Sequence, residues 1–190
     1  MATSSRVEPG KLFNSCTLGL VGLTLLLGSA GVWAAPPNPT LSDGLGNTAA
    51  GSSALSNNTT GGYNTAFGDR ALLTNTGGNY NTSSGAFALS SNTTGSGNTA
   101  SGYRTLLNND TGSGNTVSGF NALVTNGSGG YNTTSGAFAL YSNTTGSYNA
   151  AFGTAALESN ITGTFNTGVG YAADALAGGH YEWHRDRRIC

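Results

Sequence analysis

Asparagine returns every 17 residues, at 47, 64, 81, 98, 115, 132, 149 and 166, without a slip of register. Each unit reads roughly N-T-x-x-G-x-x-A-L-x-x-N-x-T-G-x-x. The other fixed columns are Gly from Gly51 to Gly170, Leu from Leu55 to Leu157, a second Asn from Asn58 to Asn160, and a second Gly from Gly61 to Gly163. Self-similarity at one fixed period belongs to solenoids and fibres, in which each repeat makes one structural layer.

Seventeen residues cannot supply the two helices and a turn that a helical layer needs. Two glycines and two asparagines per unit would also break any helix placed there. Those residues suit tight corners, because Gly takes positive φ without steric cost and Asn tolerates the left-handed region. Between the corners lie two short strand candidates, such as Thr65-Ala66-Phe67 and Arg70-Ala71-Leu72-Leu73. The fold class expected is therefore all-β, a repetitive β-solenoid whose 17-residue coils each hold two short strands. At about 4.8 Å per coil, seven full units and one partial unit make a rod of roughly 35–40 Å.

In such a rod each column becomes a ladder. For two neighbouring coils the expected ladder residues are Asn64, Gly68, Leu72, Asn75 and Gly78, followed by Asn81, Gly85, Leu89 and Asn92. The Leu column faces inward, with Ala54, Ala71, Ala88, Ala122, Ala139, Ala156 and Ala173 beside it and Thr105 as the one departure. The Asn columns stack as amide ladders, as in cross-β assemblies. One Leu and one Ala per coil make a thin apolar core against the entropy of ordering seventeen residues. Coils from several chains are expected to share a core around a symmetry axis.

Only 8% of the 190 residues are charged, the net charge is −1, and 31 residues are Gly. A nucleic-acid or anionic-membrane partner needs a basic stripe, and this composition has none to offer. Residues 1–34 differ from the rest: Arg6 and Lys11 precede an apolar run from Cys16 to Leu27, and small residues lead to Val32-Trp33-Ala34. They read as a secretory signal peptide cleaved after Ala34, with Gly19, Gly22, Gly28 and Gly31 diluting the run below that of a membrane span. Export follows as the expected localisation, extracellular or at a bacterial outer surface. Without the leader only Cys190 remains, so no intrachain disulfide can form. Residues 35–46 form a linker, 47–179 the repeats, and 180–190 an aberrant tail.

Catalytic chemistry finds no footing in the repeats, which contain no His or Cys and whose carboxylates fall in different columns. The chain is expected to be no enzyme, with no cofactor and no metal. His180, Glu182, His184 and Asp186 can be drawn as a metal cluster, but their spacing departs from HExxH. Sequons such as Asn58-Thr59-Thr60 belong to the repeat consensus, and no Gly-Lys-Ser/Thr follows any glycine-rich stretch. The candidate surface is aromatic: Tyr63, Tyr80, Tyr131, Tyr148 and Phe165 share the last position of the unit, interrupted by Gly97 and Gly114. Exposed, this column offers stacking faces to sugars or protein; buried, it is a subunit interface.

Asn-Thr-Ala-Phe-Gly-Asp-Arg-Ala-Leu at 64–72, followed by Asn75 and Gly78, resembles the head repeats of YadA-like trimeric autotransporter adhesins. Similar repeats occur in some tail-fibre-like proteins. The resemblance spans residues 47 to about 179 and implies a left-handed parallel β-roll, three chains packed side by side, displayed to bind host matrix or other surfaces. It departs in having a longer repeat than the best-known heads, and no heptad stalk or membrane-anchor strands accompany it.

The function expected is a non-enzymatic secreted or cell-surface adhesin or fibre module, a homotrimer or filament that binds an extracellular matrix protein, a glycan or another surface multivalently. The alternatives are a monomeric ice-binding solenoid, with Thr48, Thr65, Thr82, Thr99, Thr116, Thr133 and Thr167 as its array, and a structural filament subunit. The second Thr row of an ice-binding face would be Thr60, Gly77, Thr94, Thr111, Ser128, Thr145 and Thr162. A one-base frame shift, with suitable synonymous codons, lets the tail encode Ile-Thr-Asn-Gly-Thr-Gly, close to Val124-Thr125-Asn126-Gly127-Ser128-Gly129. Residues 180–190 are thus expected to be a frameshifted end of a longer repeat protein. Sequencing the coding DNA past Cys190 checks this: the alternative frame should continue the 17-residue repeat, and its absence would refute the frame shift.

Overall fold

The computed structural model describes residues 44–174; the leader, most of the linker, the end of the repeat region and the tail lie outside them. Eight three-residue strands recur once per repeat: β1 (Thr48–Ala50), β2 (Thr65–Phe67), β3 (Thr82–Ser84), β4 (Thr99–Ser101), β5 (Thr116–Ser118), β6 (Thr133–Ser135), β7 (Ala150–Phe152) and β8 (Thr167–Val169). They form one parallel sheet in sequence order. Thr65 pairs with Thr82, Thr82 with Thr99 and Thr99 with Thr116, so the register advances by one repeat at each step. This is a β-solenoid of 17-residue coils, and no helix occurs among the described residues.

Each strand points its middle residue inward and its outer two residues outward. The inward row runs Ala49, Ala66, Ser83, Ala100, Val117, Thr134, Ala151 and Gly168. It meets the Leu column, Leu55 to Leu157, whose members are at most 2% exposed, and the Ala column beside it. Thr105, the departure in that column, is also buried, and its hydroxyl donates to Gly119 O at 2.7 Å.

One strand per coil, not two, is the first correction. In the expected second strand, Arg70-Ala71-Leu72-Leu73, Arg70 has φ 53° and Leu72 has φ 51°. Alternate residues in the left-handed region cannot keep a pleat, so the segment is a run of turns. It is still tied to its neighbours. Arg70 N–H donates back to Ser52 O at 2.7 Å, and Leu72 N–H donates forward to Ala88 O at 3.0 Å. The left-handed residues therefore alternate between the coil before and the coil after. Each non-glycine residue there carries a conformational cost of about 1–2 kcal/mol, offset by its inter-coil bond and, for Leu, by full burial.

The asparagines form the expected amide ladders, and the second correction is that neither Asn column takes the left-handed backbone of a corner. Both Asn columns are buried along most of the rod. Asn75 Nδ2 donates to Asn58 Oδ1 of the preceding coil at 2.8 Å, and Asn92 Nδ2 donates in turn to Asn75 Oδ1 at 2.6 Å. In the leading column the backbone takes part: Asn81 N–H donates to Asn64 Oδ1 at 2.9 Å, and Asn98 N–H to Asn81 Oδ1 at 2.9 Å. Both columns then converge on a single acceptor. Gly78 O receives Asn64 Nδ2 at 2.8 Å and Asn75 Nδ2 at 2.9 Å, and Gly95 O receives Asn81 and Asn92 in the same way. The interior is thus closed within one chain, filled by two satisfied amide ladders as well as by Leu and Ala. Sharing of a core between chains, expected from the apolar count alone, is not needed to bury it.

The fixed glycines follow from this packing. A Cβ on Gly95 would lie 2.3 Å from Gly112 O and 2.5 Å from Asn92 Oδ1. A Cβ on Gly119, at φ 143°, would lie 2.4 Å from Gly136 O. In each case the obstacle includes backbone of the next coil, which cannot step aside without breaking the stack.

Three substitutions measure these terms by thermal and urea unfolding. Asn98→Ala leaves the buried Asn115 N–H without its acceptor and should cost about 2–4 kcal/mol. Gly95→Ala should cost at least about 3 kcal/mol through its clash with Gly112 O. Thr134→Val should stabilise the rod by about 1 kcal/mol, because the Thr134 hydroxyl is buried without a hydrogen-bond partner while Val117 fills the same site one coil earlier.

Candidate binding surface

The strand face presents hydroxyls. Thr82, Thr99, Thr116 and Thr133 start β3–β6, and Ser84, Ser101, Ser118 and Ser135 end them; all eight are exposed. Residues two apart on a strand share a face. The row beside the Thr column is therefore the Ser row, in place of the one through Thr60, Gly77, Thr94, Thr111, Ser128, Thr145 and Thr162. Phe67 and Phe152, 47% and 42% exposed, take the Ser position in the flanking strands β2 and β7.

At the last position of the unit stands the tyrosine column. Tyr63, Tyr80, Tyr131, Tyr148 and Phe165 are 50–75% exposed, so the column forms no part of the chain's own core. Tyr63 and Tyr80 stack at 5.2 Å with their planes 2° apart. Tyr131, Tyr148 and Phe165 stack at 5.1 and 5.0 Å. These separations match the coil spacing of about 4.8 Å, so the scaffold sets them. The left-handed backbone common to the column, φ 57° at Tyr63 and 58° at Tyr148, gives each ring the same exit direction. Within each run the rings cover one another's faces and leave mainly edges and hydroxyls outward.

A second aromatic surface is not visible as a column. Phe87 meets Tyr103 edge to face at 6.1 Å; Tyr103 stacks on Phe120 at 5.5 Å; Phe120 meets Phe138 edge to face at 5.5 Å; and Phe138 lies 6.0 Å from Tyr141. Arg70 caps the start of the series, its guanidinium 5.2 Å from the centre of the Phe87 ring. Tyr103, Phe120 and Phe138 are 43%, 49% and 36% exposed. These rings come from three different positions of the unit, the sixth, seventh and tenth. No single column reveals them, because each of the three positions holds an aromatic ring in only a minority of coils.

The ladder residues Asn64, Gly68, Leu72, Asn75, Gly78, Asn81, Gly85, Leu89 and Asn92 hold this scaffold in place and offer little to a ligand: the Asn and Leu side chains among them are fully buried. Among the described residues, no group of three or more His, Cys, Asp or Glu side chains comes together to hold a metal ion. The cluster of His180, Glu182, His184 and Asp186 lies outside the described residues, as does the leader. No protein-family model matches the chain, and no curated protein or solved structure matches it significantly.

Proposed function

We propose that this chain is a non-enzymatic, exported adhesin or fibre module, assembled in threes as a left-handed β-roll, that binds an extracellular matrix protein, a glycan or another surface by repetition. The observation that carries the reading is the presence of two aromatic rows on the outside of a rod whose interior is already complete. Rings that the fold does not need for its own burial have a use elsewhere. The resemblance of residues 64–78 to YadA-like head repeats supports the same reading, and so does the excess of hydroxyl and ring over charge. Weak contacts repeated once per coil sum to a firm hold when one ligand or surface spans several coils.

The two rows suit different tasks. The row from Phe87 to Tyr141 alternates edge-to-face and stacked contacts, so its surface differs at each level. An irregular apolar surface defines the axial register of a neighbouring copy, whereas identical rungs would permit slippage by one coil. This row is where copies meet. The regular tyrosine column is left for the ligand.

Sedimentation of the exported protein should give three times the chain mass. The double variant Tyr103→Ser/Phe120→Ser should sediment as a monomer while retaining its circular dichroism and melting temperature to within a few degrees, since both rings are exposed in the chain. A wild-type monomer at every concentration would overturn the trimer. The double hydroxyl column of β3–β6 favours one other reading, ice binding. Thermal hysteresis from a monomeric protein, with no retention on matrix-coated surfaces, would replace the adhesin by that reading.

A further inference from the structure

Stacking within the tyrosine column uses up the ring faces that a ligand would need. Tyr63 covers one face of Tyr80, and Tyr148 is covered on both sides, by Tyr131 and Phe165. The described column has one interior break, at Gly97 and Gly114, between Tyr80 and Tyr131. Three coil steps of about 4.8 Å, roughly 14 Å in all, separate the coils of those two rings; the Tyr131 ring takes up the side-chain space of Gly114, and the space above Gly97 stays open.

The space is open on one side and shaped on the other. The rings lean toward the preceding coil. A Cβ on Gly46 would lie 2.9 Å from the Tyr63 ring, and one on Gly114 would lie 2.8 Å from the Tyr131 ring. On Gly97 a Cβ would meet nothing closer than Gly114 N, at 4.0 Å. Tyr80 therefore turns a free face toward the bare backbone of Gly97, and Tyr131 closes the far end.

Neutral hydroxyls flank this notch. Ser96 Oγ accepts Asn79 N–H at 3.0 Å and donates to Thr94 O at 3.3 Å; Ser113 Oγ accepts Ser96 N–H at 3.0 Å and donates to Thr111 O at 3.3 Å. Each of these hydroxyls keeps one acceptor lone pair unused. The coil from Asn81 to Gly97 carries no charged residue. An aromatic face beside uncharged hydroxyls complements a ring with one C–H face and a rim of hydroxyl groups.

We infer that the notch between Tyr80 and Tyr131, floored by Gly97 and ended by the Tyr131 ring over Gly114, is a binding site for a neutral sugar ring, a pyranose stacked on the free face of Tyr80. This rests on the surface-binding reading above and specifies its ligand class. The glycines are then the functional residues of the column, because they expose a ring face that the intact ladder would hide. Aromatic side chains of a protein partner fit the ring face but leave the hydroxyl rim unused.

Saturation-transfer NMR with chitotriose, cellotriose and β-1,4-galactotriose tests the site. Saturating the protein's aromatic protons should label the C–H face of at least one of these sugars. Gly97→Tyr places in the gap the residue that the column carries in other coils, at a φ of 67° close to the 57–58° that Tyr already adopts there, so the fold should hold. It should weaken sugar binding at least tenfold, and Tyr80→Ala should do the same. The double variant Tyr103→Ser/Phe120→Ser should leave transfer per chain unchanged. Equal binding by wild type and Gly97→Tyr would overturn the notch while leaving the adhesin reading intact. Failure of all three sugars to bind would also overturn it. Loss of sugar binding in Gly97→Tyr with unchanged retention on matrix-coated surfaces would uphold the sugar site and assign matrix adhesion to another face.

Discussion

One carbonyl per coil holds the rest in place. The glycine at 78, 95, 112 or 129 accepts the side-chain amide of the Asn fourteen residues earlier and that of the Asn three residues earlier. Each Asn also accepts from the equivalent Asn of the next coil, through its backbone N–H in one column and its side-chain amide in the other. The network accepts no substitute at its nodes. Asp has no donor, Gln is one methylene too long, and any side chain on the glycine strikes the next coil. The shared carbonyl fixes two nested spans in each 17-residue coil, fourteen residues from the leading Asn and three from the second, and inserting a residue in either would detach a buried amide.

A polar interior of this kind is stable because it is complete. An unsatisfied amide in the core would cost about 1–3 kcal/mol, but here the ladders pair donors and acceptors coil after coil. The buried side-chain oxygens without a partner among the described residues, Asn121 Oδ1, Thr134 Oγ1 and Asp174 Oδ1, all lie outside the two Asn columns. With the interior satisfied, the outward positions are free to vary. Ring, hydroxyl and glycine are distributed over them without disturbing the scaffold, and the binding surfaces are composed from that freedom.

The sequence made the architecture legible through its fixed columns and obscured the surfaces through their irregularity. Period, all-β class, inward Leu and Ala rows and tyrosine column follow from counting. The conformation of the columns did not. The first Gly column takes positive φ as its propensity suggests, 132° at Gly68, but the left-handed turns fall to Leu72 and Tyr80 and not to Asn75, which stays buried. Propensity describes a residue alone, and here inter-coil bonds and burial outweigh the cost of about 1–2 kcal/mol for a left-handed non-glycine residue. The aromatic row from Phe87 to Tyr141 was invisible for a related reason: its members share a place in space but not a column.

By itself, the sequence determined that one layer takes 17 residues and that each layer repeats the last, since a period is a property of the chain. It also determined that a tyrosine run is broken at Gly97 and Gly114. Only the tertiary structure decided that the segment through the Leu column is a run of turns, that both Asn columns converge on one glycine carbonyl, and that stacking hides the ring faces in the described column except at the ends of each stacked run. Those are consequences of the coil-to-coil spacing, which sets ring against ring and amide against amide, and that spacing exists only once the coils are stacked.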